Sequence, residues 1–156
     1  MIIGMRGHDF GRQTPEALFS AIGQAGFRCT QLAFPKAIEG VKSYADVTPS
    51  LAFAKAFPAP AEQYMTPGAL SEIRSAFAGI ILPVMGCYVS ASDRDPDVLA
   101  EAKARFKRSL SASVILGAGC VGTETTHFTF PGSEREAAYA RLLDFTREVC
   151  AHAEQV

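Results

Sequence analysis

The sequence lacks the features that mark several large functional classes. Its 15 Lys and Arg against 16 Asp and Glu leave a net charge of −1, so no excess positive field draws it to nucleic acid or an anionic membrane, and neither is expected as a partner. Long hydrophobic runs are missing. The apolar stretch 79–89 is interrupted by Pro83 and falls well short of the roughly 20 residues of a membrane-spanning helix. The opening Met-Ile-Ile-Gly-Met-Arg has neither the basic-then-apolar pattern nor the small-residue cleavage site of an export signal, so a cytoplasmic protein is expected. Cysteine is sparse: Cys29, Cys87, Cys120 and Cys150 form no C-x-x-C pair. They read as reduced, mostly buried thiols rather than zinc ligands or a redox couple. Neither G-x-x-x-x-G-K-[ST] nor G-x-S-x-G occurs, which removes the usual phosphate loop and nucleophile elbow.

What remains is an ordinary globular balance, with 48% hydrophobic and 20% charged residues over 156 positions, enough for one domain with one core. Thr14-Pro15 places a capping hydroxyl before a proline at the first helical position, and Leu18, Ile22 and Ala25 recur at helical spacing up to Gly26. Residues 1–7 before this helix and 27–32 after it read as strands. A helix is expected from Pro67 to Phe77, then a strand over 82–89. Asp95-Pro96 opens a longer helix with an apolar stripe of Leu99, Ala102, Phe106 and Leu110, closed by Gly117 and Gly119. A strand over 120–124 follows. Ser133 and Glu136 then have the spacing of a capping box for a last helix carrying Ala138, Leu142, Phe145 and Val149. The stretch 34–65 is a long excursion, with one helix placed near Ser50–Phe57. Strands alternating with helices imply an α/β fold with parallel pairing, right-handed crossovers and a site at the carboxyl ends of the strands.

Strand alternation places Arg6 and His8 on one face of the first strand, and Cys120, Gly122 and Glu124 on one face of the fourth. If these faces converge, Arg6, His8, Gln31, Tyr88 and Glu124 share one rim. His8 is a candidate substrate or metal contact. Glu124 is a candidate base or ligand, or simply the ion-pair partner that an inward-facing Arg6 requires. His127 and His152 lack metal-site spacing, and His152 falls in the last helical turn, where a cation suits the helix dipole. Gly117-Ala118-Gly119-Cys120-Val121-Gly122 matches G-x-G-x-x-G by letter. Its context is reversed, however, with a helix before it and a strand after it, so it reads as a helix stop and turn.

Ile2-Ile3-Gly4-Met5-Arg6-Gly7-His8-Asp9-Phe10, Gln31-Leu32-Ala33-Phe34, Gly86-Cys87-Tyr88-Val89-Ser90, Arg105-Phe106-Lys107 and Val121-Gly122-Thr123-Glu124-Thr125 together resemble the sugar phosphate isomerase/epimerase family, the xylose-isomerase-like barrels. The resemblance runs in order along nearly the whole chain and implies the amino-terminal half, about four βα units, of a (β/α)₈ TIM barrel. A complete barrel takes about 250 residues. The implied activity is isomerisation or epimerisation of a small sugar or sugar phosphate through an enediolate, assisted by a divalent metal such as Mn²⁺, Mg²⁺ or Co²⁺. The family's metal ligands and main acid and base come from the second half, so no metal ligand carries over. The match supports substrate-side roles for His8, Phe10 and Tyr88, a catalytic candidate in Glu124, and a pocket network of Arg6 and Gln31. A half barrel has two open edges, which implies a homo-oligomer or a complementing carboxyl-terminal half, and the absence of the second half's metal and acid–base residues implies inactivity alone. Two other expectations compete with this: a non-catalytic sugar- or protein-binding module, and a compact self-contained α/β domain of four or five strands, which pairing of the first and fourth strands would favour.

Overall fold

The computed structural model describes residues 2–41, 65–124 and 132–156. The helix expected near Ser50–Phe57 lies outside the described residues. Along the chain run β1 (Met5–Arg6), a 3₁₀ turn (Gly7–Phe10), α1 (Pro15–Gln24), β2 (Cys29–Leu32), α2 (Phe34–Ala37), α3 (Pro67–Ser75), β3 (Ile81–Gly86), α4 (Pro96–Leu116), β4 (Cys120–Gly122), a second 3₁₀ turn (Gly132–Glu134) and α5 (Arg135–Ala153). The four strands form one parallel sheet in the order β1-β2-β3-β4. The first and fourth strands therefore stand at opposite edges and do not pair, so the pairing that would have favoured the self-contained domain is not formed, and the order is that of a half barrel.

Local chemistry explains most boundaries. The Thr14 hydroxyl accepts from the Ala17 amide at 3.3 Å, the Thr66 hydroxyl from Ala69 at 3.4 Å, and the Asp95 carboxylate from Asp97 at 2.9 Å. Each is followed by a proline that needs no amide partner. α4 stops at Gly117, whose φ of 67° is left-handed, as the helix-stop reading of the glycine motif requires. Pro83 sits inside the central strand β3, where a missing amide would break a ladder. The register shifts at that point, with Cys29 opposite Ile81 but Gln31 opposite Val84, so the proline occupies an irregularity rather than a regular pairing position.

Several expectations need correction. The first strand is only Met5–Arg6, because Gly7 tucks under β2 and the chain curls into a 3₁₀ turn that Gly11 closes by donating to the His8 carbonyl at 3.2 Å. A Cβ on Gly7 would lie 3.4 Å from both Leu32 Cδ1 and Thr30 Oγ1. His8 thus does not alternate with Arg6 along a strand. The third and fourth strands end at Gly86 and Gly122, short of the expected Val89 and Glu124. The last helix is entered through the 3₁₀ turn that contains Ser133, and its capping position, Glu134, makes no side-chain cap, so no capping box forms. Part of the long excursion is also structured, since Phe34–Ala37 is a helical turn.

Two apolar clusters hold the layers together. The larger joins Leu18, Phe19 and Ile22 of α1, Leu32 of β2, Leu70 of α3, Leu82 and Met85 of β3 and Leu116 of α4. Fully burying such a side chain contributes roughly 1.5–3 kcal/mol. The smaller places Cys87, Val89 and Ala91, just past β3, against Ala102 and Phe106 of α4 and Phe145 and Val149 of α5. All four cysteines are free; Cys29 and Cys87 are buried but Cys120 and Cys150 are exposed, so only half match the expected burial.

Candidate functional site

Register determines which side chains share the open face of the sheet. Arg6 pairs with Gln31, Gln31 with Val84, and Val84 with Cys120. Residues opposite one another in a sheet project to the same face, so these four form one row. The intervening row, Leu32, Met85 and Val121, points the other way into the larger cluster. One step towards the carboxyl ends, Gly86 stands beside Gly122, and with no side chains the face is hollow there.

Tyr88 lies across that hollow. A Cβ on Gly86 would sit 3.4 Å from Tyr88 Cε2 and 3.5 Å from Gln31 Nε2, and Gln31 Nε2 donates to Tyr88 Oη at 3.4 Å. Lys36, on the helical turn after β2, holds its ammonium 4.5 Å from the Tyr88 ring centroid, a cation–π contact. Burial raises the Tyr88 pKa; the Glu124 carboxylate adds to the rise, while Arg6 and the Gln31 hydrogen bond oppose it. Burial lowers the His8 pKa; Asp9 opposes this, and the cations Arg6 and Lys36 reinforce it. Tyr88 thus stands within reach of Gln31, Lys36, Arg6 and Glu124, and His8 within reach of Arg6 and Lys36, at the strand ends.

Individual members differ from their expected geometry. Arg6 is exposed and donates from Nε and Nη2 to the two Asp9 carboxylate oxygens at 3.1 Å, so its ion pair among the described residues is with the residue three positions on and not with Glu124. His8 Nδ1 is buried and has no hydrogen-bond partner among the described residues. The Phe10 ring meets Phe27 edge-on at 6.5 Å and packs against the larger cluster. Lys36 was not singled out from the sequence. The only local signal was Phe34-Pro35, a proline at a helix start that turns the next residue back over the sheet.

Two clefts lie against the helices. A cleft of about 410 Å³ between α3, α4 and α5 is lined by Met65, Thr66, Lys107, Ser111 and His152, with Ser111 Oγ 3.3 Å from His152 Nε2. Another of about 460 Å³, lined by Phe106, Leu110, Cys120, Val121 and Val149, opens beside β4. The convergent polar groups at the strand ends make that face the candidate site.

A divalent cation does not fit the described residues. No three His, Cys, Asp or Glu side chains among them come together, and Asp9 is already committed to Arg6. No helix among the described residues is long and apolar enough to cross a membrane.

No protein-family model matches the sequence, and no curated protein matches it. Solved structures do. A D-psicose 3-epimerase determined in the presence of D-fructose is 18% identical, with a TM-score of 0.66 over 99% of this chain and 49% of its own. The 3-keto-D-glucoside 4-epimerase of E. coli is 15% identical, with a TM-score of 0.65 over 99% and 52%. The D-psicose 3-epimerase of Clostridium cellulolyticum H10 with D-tagatose is 18% identical, with a TM-score of 0.64 over 99% and 49%. This chain therefore spans about half the length of the structures it matches. Its four parallel strands and alternating helices are half of a TIM barrel of the kind these sugar epimerases share, as the sequence resemblance implied.

Proposed function

We propose that this chain forms the substrate-holding side of an isomerase or epimerase for a small sugar or sugar phosphate, and that it is inactive alone. The observation that carries this is the meeting of Gln31 and Tyr88 over the glycine hollow at the carboxyl ends of the strands, where α/β barrels bind their ligands, with Lys36 on the Tyr88 ring and His8 within reach of Lys36. Gln31 and Tyr88 offer a donor and a hydroxyl suited to sugar hydroxyl groups. His8, held towards its neutral form, presents a second polar edge.

The reaction removes a proton beside a carbonyl and returns it to the neighbouring carbon in an isomerisation, or to the opposite face of the same carbon in an epimerisation, through an enediolate whose oxygen needs a cation. Glu124 is the proposed base on this side. The matching acid and the divalent metal belong to the complementary half, supplied by further chain, a separate chain or a second copy. Edges β1 and β4 face outward in opposite directions along the sheet, which supports closure by such a half.

Titrating the ¹⁵N-labelled chain with D-fructose tests the holding role, and incubating both in D₂O with Mn²⁺ tests for exchange. Shifts at the Gln31 amide and side chain without deuterium incorporation are expected. Shifts confined to the cleft beside β4, or no shifts, refute the placement of the site. Deuterium incorporation by the isolated chain refutes its inactivity. A second reading, a non-catalytic sugar-binding module, would be favoured if no complementary half restored exchange.

A further inference from the structure

We infer that Lys36 determines substrate specificity by binding an anionic group on the ligand, so that the site takes a phosphorylated or carboxylated sugar in preference to a neutral one. The inference rests on the proposed site and adds the chemical class of its ligand.

Two cations stand at the rim, and their circumstances differ. The Arg6 guanidinium is occupied by both oxygens of Asp9. The Lys36 ammonium has no carboxylate partner among the described residues, and its side chain is exposed. An exposed lysine normally sweeps through many rotamers, and ordering it costs entropy. Here one side of the ammonium rests on the face of Tyr88. That ring is fixed in turn by the hydrogen bond from Gln31 and by its seat over Gly86. A cation–π contact orients the charge without using its N–H donors, which stay directed towards solvent.

Placement supports the same conclusion. Lys36 follows β2 directly through Phe34 and Pro35, both buried, so its backbone is anchored while its charge is presented at the strand ends. It is close enough to His8 to depress that imidazole's basicity, which puts a sugar hydrogen-bonded by Gln31, Tyr88 and His8 within the field of the ammonium. A phosphate monoester or carboxylate at the end of such a sugar meets a pre-positioned cation; a hydroxyl there gains far less, because charge-assisted hydrogen bonds are about twice as strong as neutral ones.

The test compares binding of D-fructose, D-fructose 6-phosphate and D-galacturonate by isothermal titration of the full chain at low salt, with the wild type, Lys36→Gln and Lys36→Arg. At least one anionic probe should bind about tenfold more tightly than D-fructose, which corresponds to one charge-assisted contact. Lys36→Gln should bring the ratio near one, and Lys36→Arg should keep most of it. Which anionic probe gains identifies phosphate or carboxylate as the preferred group. Equal binding of all three probes overturns the role of Lys36 and leaves the site standing. A preference that survives Lys36→Gln also overturns it. Failure of every probe to bind overturns the site itself. Lys36 is exposed, so both variants should retain the wild-type melting temperature, which keeps folding out of the comparison.

Discussion

Phe145→Ala should remove more stability than any single change on the charged face of the same helix. Phe145 is 2% exposed, and its ring meets Phe106 at 5.5 Å and 74°, an edge-to-face pair across α4 and α5. Truncating a buried phenylalanine costs about 3–5 kcal/mol, of which a well-formed aromatic pair is about 0.5–1.5 kcal/mol. Beside it, Lys103 contacts Asp144 at 2.6 Å and Glu148 at 2.7 Å, and Lys107 contacts Glu148 at 2.6 Å. Asp144 and Glu148 are 67% and 42% exposed, and pairs this open are worth only about 0–1 kcal/mol. Urea unfolding followed by circular dichroism separates the two. With a slope of about 2 kcal/mol per molar urea, Phe145→Ala should lower the midpoint by roughly 2 M and Glu148→Gln by less than about 0.5 M. The Phe145 cluster also covers Cys87 and Val89, the neighbours of Tyr88. Tyr88 and Gln31 resonances should therefore broaden in Phe145→Ala at urea concentrations where the wild type is unchanged. Equal midpoints for the two variants would refute the assignment of the α4–α5 contact to apolar burial.

Thiol reactivity should divide evenly. Burial pushes the Cys87 thiol up to about 11 and Cys29 is also buried, so Ellman's reagent at pH 8 should label Cys120 and Cys150 quickly and the other two only after unfolding; fast labelling of Cys87 contradicts the packing past β3. His8 has a folded pKa below its ordinary 6.5, so its neutral form contributes stability that is present above pH 6.5 and lost as pH falls through the folded value. His8→Gln should flatten the acid limb of the melting-temperature profile, and an unchanged limb would place the sensitivity elsewhere. Gly117 has a left-handed φ of 67°, so Gly117→Ala should cost about 1–2 kcal/mol and lower the melting temperature by about 2–8 °C. Gly86→Ala, where an added Cβ meets ordinary contacts of 3.4–3.5 Å, should cost much less, and the reverse order would be fatal to the argument from backbone conformation.

The long helices were legible because their signals are local. Thr14-Pro15 and Asp95-Pro96 cap and start α1 and α4 as the sequence indicates, and the stripe with Ala102 and Phe106 is buried. The strands were placed but drawn too long, because composition marks an extended segment while pairing partners decide where the ladder stops. His8 shows the cost: a residue read as extended lies in a 3₁₀ turn, because Gly7 must pass close to Leu32 and Thr30. The proximity of Gln31 to Tyr88 followed from their places at strand ends. The partner of Arg6 did not, because Asp9 reaches it only through that turn. Lys36 was invisible for the same reason, since nothing in one sequence shows that a turn after β2 folds a lysine over a tyrosine just past β3.

The division of the apolar interior into two clusters affects how the chain comes apart. Helix α4 contributes to both, Ala112 and Leu116 to the larger and Ala102 and Phe106 to the smaller, while α5 contributes Phe145 and Val149 to the smaller and nothing to the larger. Opening of α5 therefore exposes the second half of the interior and leaves the first intact, so amides of α5 should exchange through a sub-global event of lower free energy than those of β2 and β3. Helix α4 is the hinge post of that event: its amino-terminal turns are freed with α5, while its carboxyl-terminal turns remain in place until the sheet itself dissolves.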